Sequence, residues 1–209
     1  MNIIYCTDNQ FLQIEVSILS IMEHTSTKCV FFILIKDISK EQELRFNRLS
    51  EYYDCKINIV LVDESLLQFL KYINDENGLH QGMGKLLPSA AYYRWLIPYY
   101  LHDEERCLYL DTDVIANRDL NEIYNFSLEN SSIYGIANGS RKDEIISGVI
   151  LINIKYWNDN DLLSKLNKQT MKSFQENDRI NDQYILNIVT RDNQIVTTDE
   201  TFSCGSGQI

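Results

Sequence analysis

Through the first 110 positions, short apolar runs alternate with stretches whose apolar residues recur three or four apart. Ile3-Ile4-Tyr5-Cys6 has strand length, and Phe11 to His24 follows with Ile14, Ile18, Leu19, Ile21 and Met22 at helical spacing. Val30 to Ile35 predicts a second strand. Ser39 opens a helix, because Gln42 three residues on completes a capping-box pattern and Leu44, Leu49 and Tyr52 supply the stripe. Ile57 to Val62 predicts a third strand, Ser89 to Leu101 a helix, and Arg106 to Leu110 a fourth strand. Weaker patterns predict strands at Ile133–Ala137 and Val149–Ile152 and helices at Asp161–Gln175 and Asp182–Val189. Strands alternating with helices imply parallel pairing in a doubly wound α/β sheet. Asp75 to Pro88, with three glycines and a proline, predicts a loop long enough to carry function. No repeat or low-complexity tract divides the chain, so residues 1–209 read as one domain.

In such a sheet, ligands bind beyond the carboxyl ends of the strands. Asp8, Asp63 and the pair Asp111/Asp113 all follow predicted strands. A strand ending in Asp111-Thr112-Asp113 delivers both carboxylates to one point at the sheet's edge, because side chains two apart on an extended segment share a side. Paired hard oxygens suit Mg²⁺ or Mn²⁺, which keep positions for water and substrate phosphates. A plain polar turn, with Asp113 or Asp119 capping the next helix, is the simpler reading of the tripeptide alone.

Composition narrows the partners. A chain of 209 residues, 44% hydrophobic, can bury one sizeable core. Its net charge of -11 and pI near 4.7 disfavour a nucleic-acid partner. No apolar run has the length of a membrane span, and Met1-Asn2-Ile3 lacks the basic start of a signal peptide. Five dispersed cysteines suggest reduced core thiols in a cytoplasmic protein rather than disulfides or zinc.

Five stretches in order carry a family resemblance: Ile3-Ile4-Tyr5-Cys6-Thr7-Asp8; Ala91-Tyr92-Tyr93-Arg94; Leu108-Tyr109-Leu110-Asp111-Thr112-Asp113-Val114; Ser147-Gly148-Val149-Ile150-Leu151-Ile152-Asn153 with Trp157; and Asn181-Asp182-Gln183-Tyr184-Ile185-Leu186-Asn187. Together the chain resembles the family-8 retaining glycosyltransferases, lipopolysaccharide galactosyltransferases among them. The resemblance implies a GT-A fold: a Rossmann-like single domain with a mixed, mostly parallel sheet and flanking helices. It implies Mn²⁺ or Mg²⁺ on Asp111 and Asp113, and a UDP-sugar donor carrying galactose or glucose. Tyr5, Cys6, Thr7 and Asp8 would line the uracil and ribose, and Asp111 and Thr112 would also contact the donor. Arg94 and Ser147 would serve the sugar and phosphate. Asp182 would hold sugar hydroxyls, and Gln183 would stabilise oxocarbenium character at the anomeric carbon, with the leaving phosphate taking the acceptor's proton. The acceptor would be a saccharide or glycoprotein hydroxyl. Self-association into a homo-oligomer is compatible with all of this.

Two departures stand out. Family members commonly carry an asparagine where this chain has Ile146, an amide that would bind the donor sugar. They also continue to a His-x-x-Gly-x-x-Lys-Pro-Trp segment that supplies a third metal ligand and a diphosphate-binding lysine. Asp199 to Ile209 has no such motif, so slow turnover is expected. His24 and His102 read as surface residues, and His80, in the predicted loop, is the remaining candidate for the third ligand. Two other readings fit parts of the pattern. One is a degenerate nucleotide-sugar-binding or assembly subunit. The other is a haloacid-dehalogenase-type phosphatase, which also uses Asp-x-Asp after a strand but normally near its N-terminus.

Overall fold

The computed structural model describes residues 1–70, 89–139, 141–176, 178 and 180–198. The predicted loop with His80, the tail from Asp199 and Cys204 lie outside the described residues. The parallel half of the sheet forms where the sequence predicts it. Strand β1 (Asn2–Cys6) pairs with β2 (Val30–Ile35), β2 with β3 (Lys56–Leu61), and β1 on its other edge with β4 (Arg106–Leu110), all parallel. Beyond β4 the direction reverses. Strand β6 (Arg141–Asn153) is antiparallel to β4 and to β5 (Ile133–Asn138), and β7 (Gln194–Thr197) pairs parallel with β5. The spatial order is β3-β2-β1-β4-β6-β5-β7, a mixed sheet dominated by parallel pairs. This is the mixed, mostly parallel sheet that the family resemblance implies.

Alternation along β1 explains why its run is apolar throughout. Ile3 and Tyr5 join a core with Ile14, Ile18 and Phe46, whereas Ile4 and Cys6 join the opposite one with Trp95, Leu96 and Leu166. A strand covered on both faces has no position left for a polar side chain. The first core packs α1 (Phe11–His24) and α2 (Lys40–Tyr53) against the sheet. The capping box on α2 is present: Gln42 N–H donates to Ser39 Oγ at 3.3 Å and Ser39 N–H to Gln42 Oε1 at 2.9 Å. Ser39→Ala is expected to lower stability by about 1 kcal/mol in a urea titration, without moving the denaturant slope.

The other elements depart from the predicted pattern for local reasons. Residues Ser89–Leu96 form a 3₁₀ helix rather than an α-helix, followed by α3 (Ile97–Tyr100). Pro98 lacks the N–H that a continuous α-helix would need there. Strand β6 begins eight residues before Val149, because Arg141 to Glu144 have no two-residue alternation and are held by the hairpin with β5. Gly139, at φ +54°, makes that turn, which an L side chain would strain. Strand β7, with only Ile195 and Val196 apolar, is too short for periodicity to show it. The helices α4 (Asn121–Tyr124) and α5 (Ile154–Asp159) are a turn or so each, and α6 (Leu162–Gln175) and α7 (Asp182–Thr190) follow the prediction closely. Among the described residues no helix is long and apolar enough to cross a membrane.

Candidate active site

Adjacent parallel strands β1 and β4 end side by side, so their following loops share one edge. Thr112 Oγ1 donates to Gln10 Oε1, tying the loop after β4 to the loop after β1. Asp8 is exposed, and its charge, after burial and Glu64, helps push the Tyr93 phenol up. Asp63 also follows a strand, but β2 stands between β3 and β1, and its Oδ1 is engaged by Ser65 N–H at 2.9 Å. It therefore caps a 3₁₀ turn and is not gathered with the others.

Past Asp111 the backbone is not extended. Val114 N–H donates to the Asp111 carbonyl at 3.2 Å, closing a turn over Asp111–Val114. The pairing of Asp111 and Asp113 thus rests on a turn and not on strand alternation. The Asp113 charge still reaches Asp111 and adds to its raised pKa. The helix-capping alternatives resolve cleanly. Asp119 accepts from Asn121 N–H at 2.8 Å beside α4, Asn181 accepts from Tyr184 N–H at 2.7 Å at the start of α7, and Thr7 Oγ1 accepts from Gln10 N–H at 2.8 Å before α1. No side-chain cap on these helices comes from Asp113, Asp182 or Asp8.

Arg94 is the hub. Its side chain is only 7% exposed, so the ordinary expectation of a surface ion pair does not hold. Nη1 donates to the Ser147 carbonyl at 2.7 Å, Nε to the Ala91 carbonyl at 3.0 Å, and Nη2 to Asp111 Oδ1 at 3.2 Å. Nη2 also lies 3.1 Å from Asp182 Oδ2, an ion pair by distance without hydrogen-bond alignment. The guanidinium stacks over the Tyr109 ring, 4.4 Å from its centroid. Tyr109 in turn donates its hydroxyl to Asp111 Oδ1 at 2.6 Å. Burial opposes the Arg94 charge, but Asp182, Tyr109 and Asp111 more than offset it, and its pKa rises. Asp111 is pushed up by burial, reinforced by Asp182 and Asp113, against the pull of Arg94 and Tyr109.

The far wall comes from β6 and α7. Pairing slips between Gly135↔Ile150 and Ala137↔Ile145, so β6 bulges across Ile146–Val149. Bulges next to active sites re-aim side chains and end pairing. Here the bulge brings Gly148 against Asp111: the Asp111 N–H donates to the Gly148 carbonyl at 2.8 Å, and a Cβ at Gly148 would stand 3.0 Å from Asp111 Oδ2. Gly148 is thus required by close approach. Ser147 is buried, and its N–H and hydroxyl donate to Gln183 Oε1 at 3.0 and 3.3 Å.

Arg94, Asp111, Ser147, Asp182 and Gln183 form one connected cluster, with Asp113 close enough to Asp111 to act on it. Thr112 bonds instead to Gln10, and the exposed Asp8 acts on Tyr93. Tyr5 does not bring its side chain to the cluster: it is fully buried with its hydroxyl 2.8 Å from Ser17 Oγ in the α1 core. Cys6 is buried in the opposite core, where its thiol, pushed up by burial, feels the charges of Arg94 and Asp111. Thr7, also buried, spends its hydroxyl on Gln10. Tyr109, Gln10 and Asn187 were not singled out by sequence. For Tyr109 the signal existed: a tyrosine hydroxyl in a buried strand needs a partner.

A hard divalent cation fits this edge. Asp111 spends Oδ1 on Arg94 and Tyr109, and Oδ2 takes part in neither bond. Asp113 is exposed beside it. Two carboxylates, Asp111 and Asp182, face the one buried arginine, and the Asp111/Asp113 pair suffices for an ion completed by phosphate oxygens and water. Among the described residues no third His, Cys, Asp or Glu joins them as a ligand cluster.

Comparison with known proteins shows the family and the fold. Residues 2–204 match the family described as glycosyl transferase family 8. The chain is 28% identical over 197 residues to glycosyltransferase GlyB of Streptococcus pneumoniae, covering 91% of this chain and 45% of that protein. It is 28% identical over 209 residues to lipopolysaccharide 1,3-galactosyltransferase of Salmonella typhimurium, covering 90% and 58%. The chain spans about half the length of the curated relatives it matches. Its fold is that of the galactosyltransferase LgtC, solved with donor and acceptor sugar analogs, at a TM-score of 0.77 and 19% identity over 94% of this chain and 73% of that one. The fold is GT-A.

Proposed function

Since the chain belongs to glycosyl transferase family 8, we propose that it moves a hexose from a UDP-sugar to a hydroxyl of a saccharide or glycoprotein, with retention at the anomeric carbon. The observation that carries this is the Arg94 network, which joins the Asp111 carboxylate to the Asp182–Gln183 pair across one edge of the sheet. Departure of a nucleoside diphosphate needs its growing negative charge stabilised. Asp111 and Asp113 would hold Mn²⁺ or Mg²⁺, which would supply that as a Lewis acid. Asp8 and the Thr7 backbone stand at the end of β1, where they suit the nucleoside. Arg94, rigid and permanently charged, orients Asp182 toward the sugar's hydroxyls.

Gln183 supports a retaining course in a specific way. Its Oε1 already accepts from the Ser147 N–H and hydroxyl. An amide oxygen so engaged is a poor nucleophile, but its dipole can stabilise positive charge at the anomeric carbon. Attack from the side of the departing phosphate, which takes the acceptor's proton, then needs no further base. The names of two relatives, a lipopolysaccharide glucosyltransferase of Escherichia coli and the Salmonella galactosyltransferase, support glucose or galactose as the sugar and a lipopolysaccharide acceptor.

Calorimetric titration with UDP tests the binding half. Affinity is expected to be higher with Mn²⁺ than with EDTA, and equal affinity in both would overturn the metal assignment. UDP-galactose and UDP-glucose hydrolysis or transfer, assayed beside it, tests the chemistry. Tight UDP binding without turnover would instead mark a binding or assembly subunit. Phosphate release from p-nitrophenyl phosphate is expected to be absent.

A further inference from the structure

Among the described residues, strand β6 has no neighbouring strand beyond the end of β4 to take its backbone bonds on that side, yet four of those groups are satisfied. Ile145 N–H donates to Asn187 Oδ1 at 2.8 Å, and the Ile145 carbonyl accepts from Asn187 Nδ2 at 3.0 Å. Ser147 N–H donates to Gln183 Oε1, and the Ser147 carbonyl accepts from Arg94. Three side chains thus stand where a strand would pair. Asn187 is the deepest of them, 3% exposed, and its amide also donates to the Gln183 carbonyl at 2.9 Å. Asn187 and Gln183, four apart on α7, face one side of that helix. A primary amide offers an acceptor and a donor together, which is what one residue of a strand presents.

We propose, building on the sugar-transfer function above, that Asn187 is a positioning residue. It fixes α7 against β6 and thereby sets where Gln183 and Asp182 meet the donor sugar. Asn187 is too deeply enclosed to touch substrate itself, and it acts through the Ser147–Gln183 bond one turn away. Leucine would fill the space but leave Ile145 N–H and C=O unpaired. Aspartate would keep the Ile145 N–H bond but set a carboxylate against two carbonyls.

Asn187→Ala and Asn187→Asp, compared with Gln183→Ala, test this. Amide hydrogen exchange is read at Ile145 and Ser147. In both Asn187 variants, exchange at Ser147 is expected to speed up on the order of tenfold or more although its own partner is untouched. In Gln183→Ala, Ser147 should lose protection while Ile145 keeps it. Unchanged Ser147 exchange in the Asn187 variants would overturn the proposal, leaving Asn187 only a local bond to Ile145. If the alanine variant does not fold, the aspartate variant, which keeps one bond, decides.

In turnover, the Asn187 variants should lose on the order of 10- to 100-fold in kcat, with UDP affinity by calorimetry unchanged. Adding Asn187→Ala to Gln183→Ala should cost little more, because both act through one group. Fully additive losses would also overturn it. If the unmodified protein turns over no UDP-hexose, the sugar-transfer function fails, and hydrogen exchange alone still decides the role of Asn187.

Discussion

Arg94→Met is expected to lower the unfolding free energy by about 3–5 kcal/mol, the usual cost of removing one partner from a buried ion pair. Methionine matches the stem's volume but leaves Asp182, 8% exposed, and Asp111 facing each other without a cation. It also strips donors from the Ser147 and Ala91 carbonyls. The size of the loss should depend on pH in a defined direction. Without Arg94 the Asp111 carboxyl loses the charge that holds it down and titrates higher still in the folded state, so the defect is largest at neutral pH and shrinks as pH falls through the carboxylate range. Arg94→Lys should recover only part of the stability, because one ammonium cannot span four acceptors with the fork's geometry. Adding Asp182→Asn to Arg94→Met should restore some of it by removing one orphaned charge. Urea unfolding followed by circular dichroism at pH 7 and pH 4.5 measures all of this. An Arg94→Met protein as stable as the original at pH 7 would mean that the hub is not a structural necessity.

The largest functional effect is expected from Asp111→Ala with Asp113→Ala. Cation-dependent UDP binding should disappear, and turnover should fall on the order of 100-fold or more, as when a site loses a stabiliser of developing charge. The fold should survive, since the removed groups sit at the sheet's edge. Asp111→Asn separates stability from function. Because the pKa of Asp111 is raised in the folded protein, its contribution favours folding below the unfolded value of about 3.9 and is lost as pH rises through the folded value. At neutral pH the ionised group is a burden on the fold. The asparagine variant should therefore melt no lower than the original at pH 7, and the gap should close toward pH 3, while UDP loses its dependence on metal. A variant that melts well below the original at pH 7 would contradict the sign. Sites that hold charge for chemistry commonly carry this kind of strain.

The order of elements up to Leu110 could be read from sequence because β1 and most of β2 are buried and α1 turns Phe11, Ile14, Ile18 and Ile21 to the core, so periodicity and burial coincide. It failed where backbone partners replace side-chain burial. Arg141 to Glu144 belong to a strand by virtue of a hairpin, and β7 by virtue of β5. At the site, the carboxylates and Arg94 stood out as charges beside apolar runs. The Arg94 contacts did not, since a guanidinium bound to two carbonyls and two carboxylates from distant elements leaves no local pattern. Tyr5 shows the converse error. It lies in the right segment, but strand alternation aims its ring into the α1 core. Gln183 was singled out for the sugar, and its commitment to Ser147 is a three-dimensional fact.

The position of β1 in the sheet has a consequence for how the protein comes into being. On one edge it pairs with β2, close in sequence, but on the other Ile3 pairs with Leu108. During synthesis from the N-terminus, β1, β2 and β3 with their helices can assemble early, while the second edge of β1 waits for half the chain. Until β4 emerges, that edge offers unpaired N–H and C=O groups to any passing strand. Closing so long a loop is slow compared with local pairing. Asp182 and Gln183 arrive later still, so no partly made chain can carry the complete site. A nucleotide that binds it stabilises only the finished molecule.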